Sequence, residues 1–136
     1  MRETWRNLNI LVVGDRSNTA ESLSLASGVL NARWAIEAAK DGHAARDSLD
    51  LAPCDIVIVD AQLFDQEGFG ILQLMREVSK VPIFVLMANR DEMAKVKALE
   101  LGADCCLDRP FTFIELISRI KGLLLMAERR CHPGSG

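Results

Sequence analysis

The most restrictive feature of this chain is the run Ile56-Val57-Ile58-Val59, which ends in one carboxylate, Asp60. A strand with one face in water alternates apolar and polar side chains. This run does not alternate. Both of its faces are therefore expected to be covered, as in a parallel sheet with helices on either side. Asp60 then stands where a buried strand meets solvent. In open α/β sheets that carboxyl edge is where ligands bind. A single aspartate can also simply end a strand or cap the next segment, so its meaning depends on the rest of the chain.

Other segments repeat the pattern. Ile10-Leu11-Val12-Val13 is a second apolar run, followed by Gly14-Asp15, and Ile83 to Met87 is a third, opened by Pro82. Trp34 to Ala38 is a weaker strand, and Cys105-Cys106-Leu107 a short last one. Helical spacing fills the intervals. Ser17 or Asn18 is placed to cap a first helix, with Glu21 answering and Leu23, Leu25, Ala26, Val29 and Leu30 inward. Asp41-Gly42 breaks the second strand. His43 to Leu51 comes next as a helix with Ala44, Ala45, Leu49 and Leu51 inward, ended by Pro53. Ala61 to Gly68 is expected to be loop. Phe69, Ile71, Leu72, Met75 and Val78 give a third helix, and Met93, Val96, Leu99 and Leu101 a fourth, stopped by Gly102. Thr112 with Glu115 fits a capping box for the fifth, which runs through Leu116, Ile117, Ile120, Leu123 and Leu124 towards Arg130. Strand and helix alternate five times. That order predicts a parallel sheet with helices on both faces and right-handed crossovers.

Composition narrows the function classes. The 136 residues suit one domain, here residues 1–130, with 131–136 as a flexible tail or linker. A net charge of −3 gives no basic footprint for nucleic acid. No apolar run reaches the roughly 20 residues of a membrane helix. The start, Met1 to Arg6, has no cleavable apolar region, so no signal peptide is expected. Cys54, Cys105, Cys106 and Cys131 form neither a C-x-x-C pair nor a zinc spacing. Small reduced core residues are the expected role, which favours a cytoplasmic protein.

Strands one, three, four and five deliver Asp15, Asp60, Met87 and Arg109 to one edge. Two carboxylates and a cation are the minimum for holding Mg²⁺ and a phosphoryl group, and an aspartate can itself form an acyl phosphate. The order of elements resembles the receiver domain of bacterial two-component response regulators, over about Asn9 to Met126. Asp60 falls at the family's phosphoacceptor, and Gly68 at a turn glycine eight residues on. Leu99-Glu100-Leu101-Gly102-Ala103-Asp104 and Arg109-Pro110-Phe111 resemble its stretch between the last two helices. The last segment is most similar to receivers that precede a winged-helix DNA-binding domain. The resemblance implies a flavodoxin-like (βα)5 doubly wound parallel sheet, order 2-1-3-4-5. It implies a metal site of Asp15, Asp60 and the main-chain carbonyl of Gln62, and a cis Arg109-Pro110 bond. A sensor histidine kinase or phosphotransfer protein is the implied partner.

The departures define an atypical receiver. The family's acidic pair is Gly14-Asp15, its strand-four hydroxyl is Met87, its lysine is Arg109 and its switch aromatic is Cys106. Phe64 takes the usual place of a proline. Two outcomes stay open: a receiver phosphorylated on Asp60 with weakened switching, or a pseudo-receiver that signals without phosphate. In both the chain is not an enzyme, and Mg²⁺ binds weakly if at all. Arg109 is a phosphate contact or an ion-pair partner of Asp60. A homodimer through the fourth helix, fifth strand and fifth helix is expected, with Lys95 or Lys97, Asp104, Glu115 and Arg119 as candidate charges. Neither nucleic acid nor membrane is an expected direct partner of this stretch. The alternative from another class is a flavodoxin-like electron carrier holding FMN phosphate near Asp15-Arg16-Ser17-Asn18-Thr19. A redox sensor through Cys105-Cys106 is a weaker one.

Overall fold

The computed structural model of the chain describes residues 4–14, 19–88 and 91–130. Asp15 and the expected caps Ser17 and Asn18 lie outside them, as does the tail 131–136. The strands are β1 Asn7–Val13, β2 Arg33–Ala39, β3 Ile56–Asp60, β4 Ile83–Met87 and β5 Cys105–Asp108. They form one parallel sheet in the order β2-β1-β3-β4-β5. The described helices are α1 Thr19–Val29, α2 Gly42–Leu51, α3 Gln62–Glu67, α4 Gly70–Val78, α5 Glu92–Glu100 and α6 Phe113–Arg130.

Successive strand side chains point to opposite faces, and here each face meets its own core. Val57 and Val59 pack with Leu11, Val13, Ile83 and Val85 beneath residues of α2, α4 and α5. Ile56 and Ile58 pack with Ile10, Val12, Phe84 and Leu86 beneath α1 and α6. All five residues of β3 are buried. Its four apolar side chains contribute at most about 6–12 kcal/mol by transfer arithmetic. That burial makes the position of Asp60 stiff. At the other end of the sheet, the Trp5 ring lies under Lys121 Nζ at 3.9 Å and beside the Arg6 guanidinium at 4.5 Å, which ties the start of the chain to α6.

Several helix faces differ from the sequence expectation. Leu25 and Val29 of α1 are exposed, and Ser27 takes an inward place. Its hydroxyl donates to Ala32 O at 2.8 Å and accepts from the Trp34 N–H at 3.2 Å, so the inward polar group is satisfied. Leu51, in the last turn of α2, is also exposed. On α5 the inward residues are Ala98, with Ala94 and Leu101 beside it, while Met93, Val96 and Leu99 face out. The expected loop after Asp60 contains α3, six residues long and too short to show a helical period.

Asp41 does more than interrupt the chain, because its side chain accepts the Ala44 N–H at 2.8 Å and caps α2. Gly42 comes next because α2 crosses α4 closely there. A Cβ on Gly42 would stand 2.6 Å from Ile71 Cγ2 and 2.9 Å from Ile71 Cβ. Gly42→Ala is therefore expected to lower unfolding stability by about 1–3 kcal/mol, as overpacked cores do, although alanine is the better helix former. Urea denaturation checks this: an unchanged midpoint would mean that α2 and α4 can separate freely.

Candidate functional site at the carboxyl edge of β3

The strand order reverses at β1 and β3, so their carboxyl ends flank the crevice that the fold leaves for ligands. Asp60 closes β3 there, only 3% exposed. Its Oδ1 accepts the Gln62 N–H at 3.0 Å. Its Oδ2 lies 4.0 Å from Arg109 Nη2, a Coulombic approach too long for a hydrogen bond. That nitrogen is buried and has no hydrogen-bond partner among the described residues. The Arg109 guanidinium also lies 5.4 Å from the Phe111 ring centroid, and the Arg109-Pro110 bond is cis. The main-chain N–H of Arg109 donates to Met87 O at 3.2 Å, which binds the end of β5 to the end of β4.

Asp60 and Arg109 are thus brought together. Met87 is buried in the apolar layer under α5 and offers no donor to the edge. Cys106 sits on the same layer, in register with Val85. Gln62 opens α3 and presents its N–H to Asp60. Its carbonyl lies in the first turn, where carbonyls point along the helix axis. Asp15 lies outside the described residues. Sequence reasoning missed Asp108, next to Arg109. Asp108 Oδ2 accepts from Lys95 Nζ at 2.7 Å, and this hydrogen bond above all raises the Lys95 pKa. The i to i+13 spacing across a turn carries no periodic signal that would have revealed it.

Of the receiver-type Mg²⁺ ligands expected from the sequence, Asp60 and Gln62 are placed at this edge, and Asp15 lies outside the described residues. One of the two expected carboxylate positions after β1 is Gly14. Asp60 Oδ1 already accepts an N–H, the Gln62 carbonyl is turned into α3, and a guanidinium faces Oδ2.

The cysteines are free thiols among the described residues. Cys105 and Cys106 are neighbours on β5 and pack into opposite cores, so a bond between them would break the strand. Cys105 Sγ instead lies 3.7 Å from Arg119 Nη1. Burial, ahead of nearby negative groups, pushes the Cys54 and Cys106 thiols up to about 11. Unfolded thiols ionise first as pH rises from 9, so the unfolded state then binds fewer protons. The stability these thiols contribute is present below pH 9 and is lost between about 9 and 11. Denaturation midpoints measured across that window are expected to fall less steeply in Cys54→Ala/Cys106→Ala, and an equal slope would locate the effect elsewhere.

The comparisons with known proteins bear on the whole edge. A family model described as response regulator receiver domain matches residues 10–121. The chain belongs to the response-regulator receiver family. The transcriptional activator protein IrlR of Burkholderia pseudomallei is 30% identical over 123 residues, 90% of this chain and 53% of that protein. The probable transcriptional regulatory protein SilR of Salmonella typhimurium is 36% identical over 118 residues, 86% of this chain and 51% of that one. This receiver thus spans about half the length of the curated relatives it matches. The receiver domain of Francisella response regulator 1452 shares the fold, with a TM-score of 0.73 at 24% identity over 89% of this chain and 99% of that one. Receivers of this family serve phosphorelay signal transduction, and the relatives are transcriptional regulators.

Proposed function

We propose that this receiver is a signalling module with a degenerate phosphoacceptor site, the input half of a transcriptional regulator, whose output state does not depend on phosphate at Asp60. The observation that carries the reading is the set of groups that stands against Asp60. An N–H holds one carboxylate oxygen and a guanidinium faces the other. The position that would supply a hydroxyl is the buried Met87. Arg109 serves as the counter-ion of Asp60, and Mg²⁺ binds weakly. A histidine kinase or phosphotransfer protein remains the fitting cytoplasmic partner, since the fold they recognise is intact. The protein itself turns over no substrate.

The test is labelling with acetyl phosphate in Mg²⁺, read as intact mass. Transfer would make an acyl phosphate on a carboxylate oxygen of Asp60 and release acetate. Little or no label is expected over times in which a conventional receiver reacts. Rapid stoichiometric labelling that needs Mg²⁺ and disappears in Asp60→Asn would show a working site and end this reading.

A further inference from the structure

We propose that α3 is a built-in closure of the Asp60 edge, in which Leu63 fills the room a second carboxylate after β1 would need. The proposal rests on the degenerate-site reading above and says what makes the degeneracy permanent.

Gly14 follows β1 with φ of +72°, a conformation that side chains rarely adopt. A Cβ built there would stand 3.2 Å from both Cβ and Cδ2 of Leu63. Leu63 is buried against this spot and belongs to the core under α2 and α4. Phe64, beside it, stacks on Phe69 with ring centroids 4.4 Å apart and planes 22° apart. At the last residue of α3, Glu67 Oε1 accepts the Gly42 N–H at 3.0 Å, so the helix is held at both ends. Its start is held by Asp60 itself, through the Gln62 N–H, and by the Ala61 N–H, which donates to Leu86 O at 2.9 Å.

One short helix has three effects on the site. It gives Asp60 Oδ1 an N–H partner, it turns the Gln62 carbonyl into the helix, and it puts a leucine 3.2 Å from where the Cβ of an acidic residue at position 14 would stand. Arg109 covers the remaining side with positive charge. Replacing the missing carboxylate is then insufficient by itself, because Asp at position 14 meets both an unfavourable backbone and Leu63.

The experiment titrates Mg²⁺ alone into the wild type, Gly14→Asp, Leu63→Ala and Gly14→Asp/Leu63→Ala, following backbone amide shifts around residue 60. The wild type and both single variants are expected not to saturate. The double variant is expected to saturate, with affinity about tenfold or more above that of Gly14→Asp, because added ligand charge strengthens cation binding. Equal binding by Gly14→Asp and the double variant would overturn the closure. So would a folded double variant that gains nothing. Saturation of the wild type at ordinary receiver affinity would instead defeat the degenerate-site reading.

A second measurement needs no variant in the packed layer. In Asp60→Ala, hydrogen-exchange protection of the 62–67 amides is expected to fall about five- to tenfold relative to the sheet, as loss of one capping acceptor implies. Unchanged protection would show that Asp60 does not hold α3, and the closure would fail.

Discussion

Arg76→Ala is expected to lower unfolding stability by about 2–4 kcal/mol, a large effect for one surface-reaching side chain. The guanidinium of Arg76 binds several groups at once. Nε and Nη2 donate to Gly102 O at 3.2 and 2.7 Å, Nη1 donates to Val81 O, and Nη2 donates to Asp104 Oδ2 at 2.7 Å. Asp104 Oδ2 also accepts the Ile83 N–H at 2.8 Å. The cation thereby joins the end of α4, the start of β4 and the turn between α5 and β5. Truncation removes the side chain that bridges these three segments and leaves Asp104, mostly buried, without this cation. Arg76→Lys keeps the charge but has no planar fork to reach both carbonyls and the carboxylate, so it is expected to recover only part of the loss. Urea denaturation measures both variants. A cycle with Asp104→Ala should give a coupling of about 1 kcal/mol or more. Additive losses would mean that Arg76 acts through the carbonyls alone.

Legibility in the sequence followed the length scale of each interaction. Strands β3 and β4 were readable to the residue because both of their faces are buried and nearly every side chain in them is apolar. Asp60 was readable because it ends such a run. Helix faces were less readable. On α5, the large apolar residues suggested the inward face, but the buried residue is Ala98, which ranks low on any scale that rewards size. On α1, Ser27 is inward because the α1–β2 turn supplies partners for its hydroxyl, a tertiary fact invisible along the chain. α3 was missed for its length. Its consequences for Gln62 and Leu63 could not be read from spacing, since they depend on how a six-residue helix sits over Gly14. Charges behaved similarly. Lys95 and Asp104 were candidates for contacts between copies, yet both are paired within the chain, to Asp108 and Arg76.

What those two pairings leave on α5 is an apolar stripe, and it carries the last expected result. At about 100° per residue, Ala94, Ala98 and Leu101 face the sheet and Val96 stands opposite, flanked by Met93 and Leu99. Their exposures are 49% for Val96, 80% for Met93 and 44% for Leu99. Glu92 and Glu100 lie between these apolar positions on the same outward side, and Lys97 follows at its edge, so the face carries both signs of charge, as a surface that pairs with its own copy about a two-fold axis can use. Val96→Asp is expected to weaken a homodimer by about a hundredfold or more. Each valine is already about half covered, so the pair gains about 1.5–3 kcal/mol on full burial, each 1.4 kcal/mol being about tenfold, and an aspartate there adds the cost of burying a charge. Arg119→Glu acts on exposed pairs worth about 0–1 kcal/mol each, so even counted twice it should cost no more than about thirtyfold. Met87 and Cys106 offer no hydroxyl and no ring to link Asp60 to this face. The dimer is therefore expected without phosphodonor, and equally in Asp60→Asn. Sedimentation equilibrium decides between the outcomes. A monomer under all conditions, or a dimer indifferent to Val96→Asp, would remove the stripe as a self-association surface, and a dimer that forms only after phosphodonor is added would show that Asp60 still controls this face.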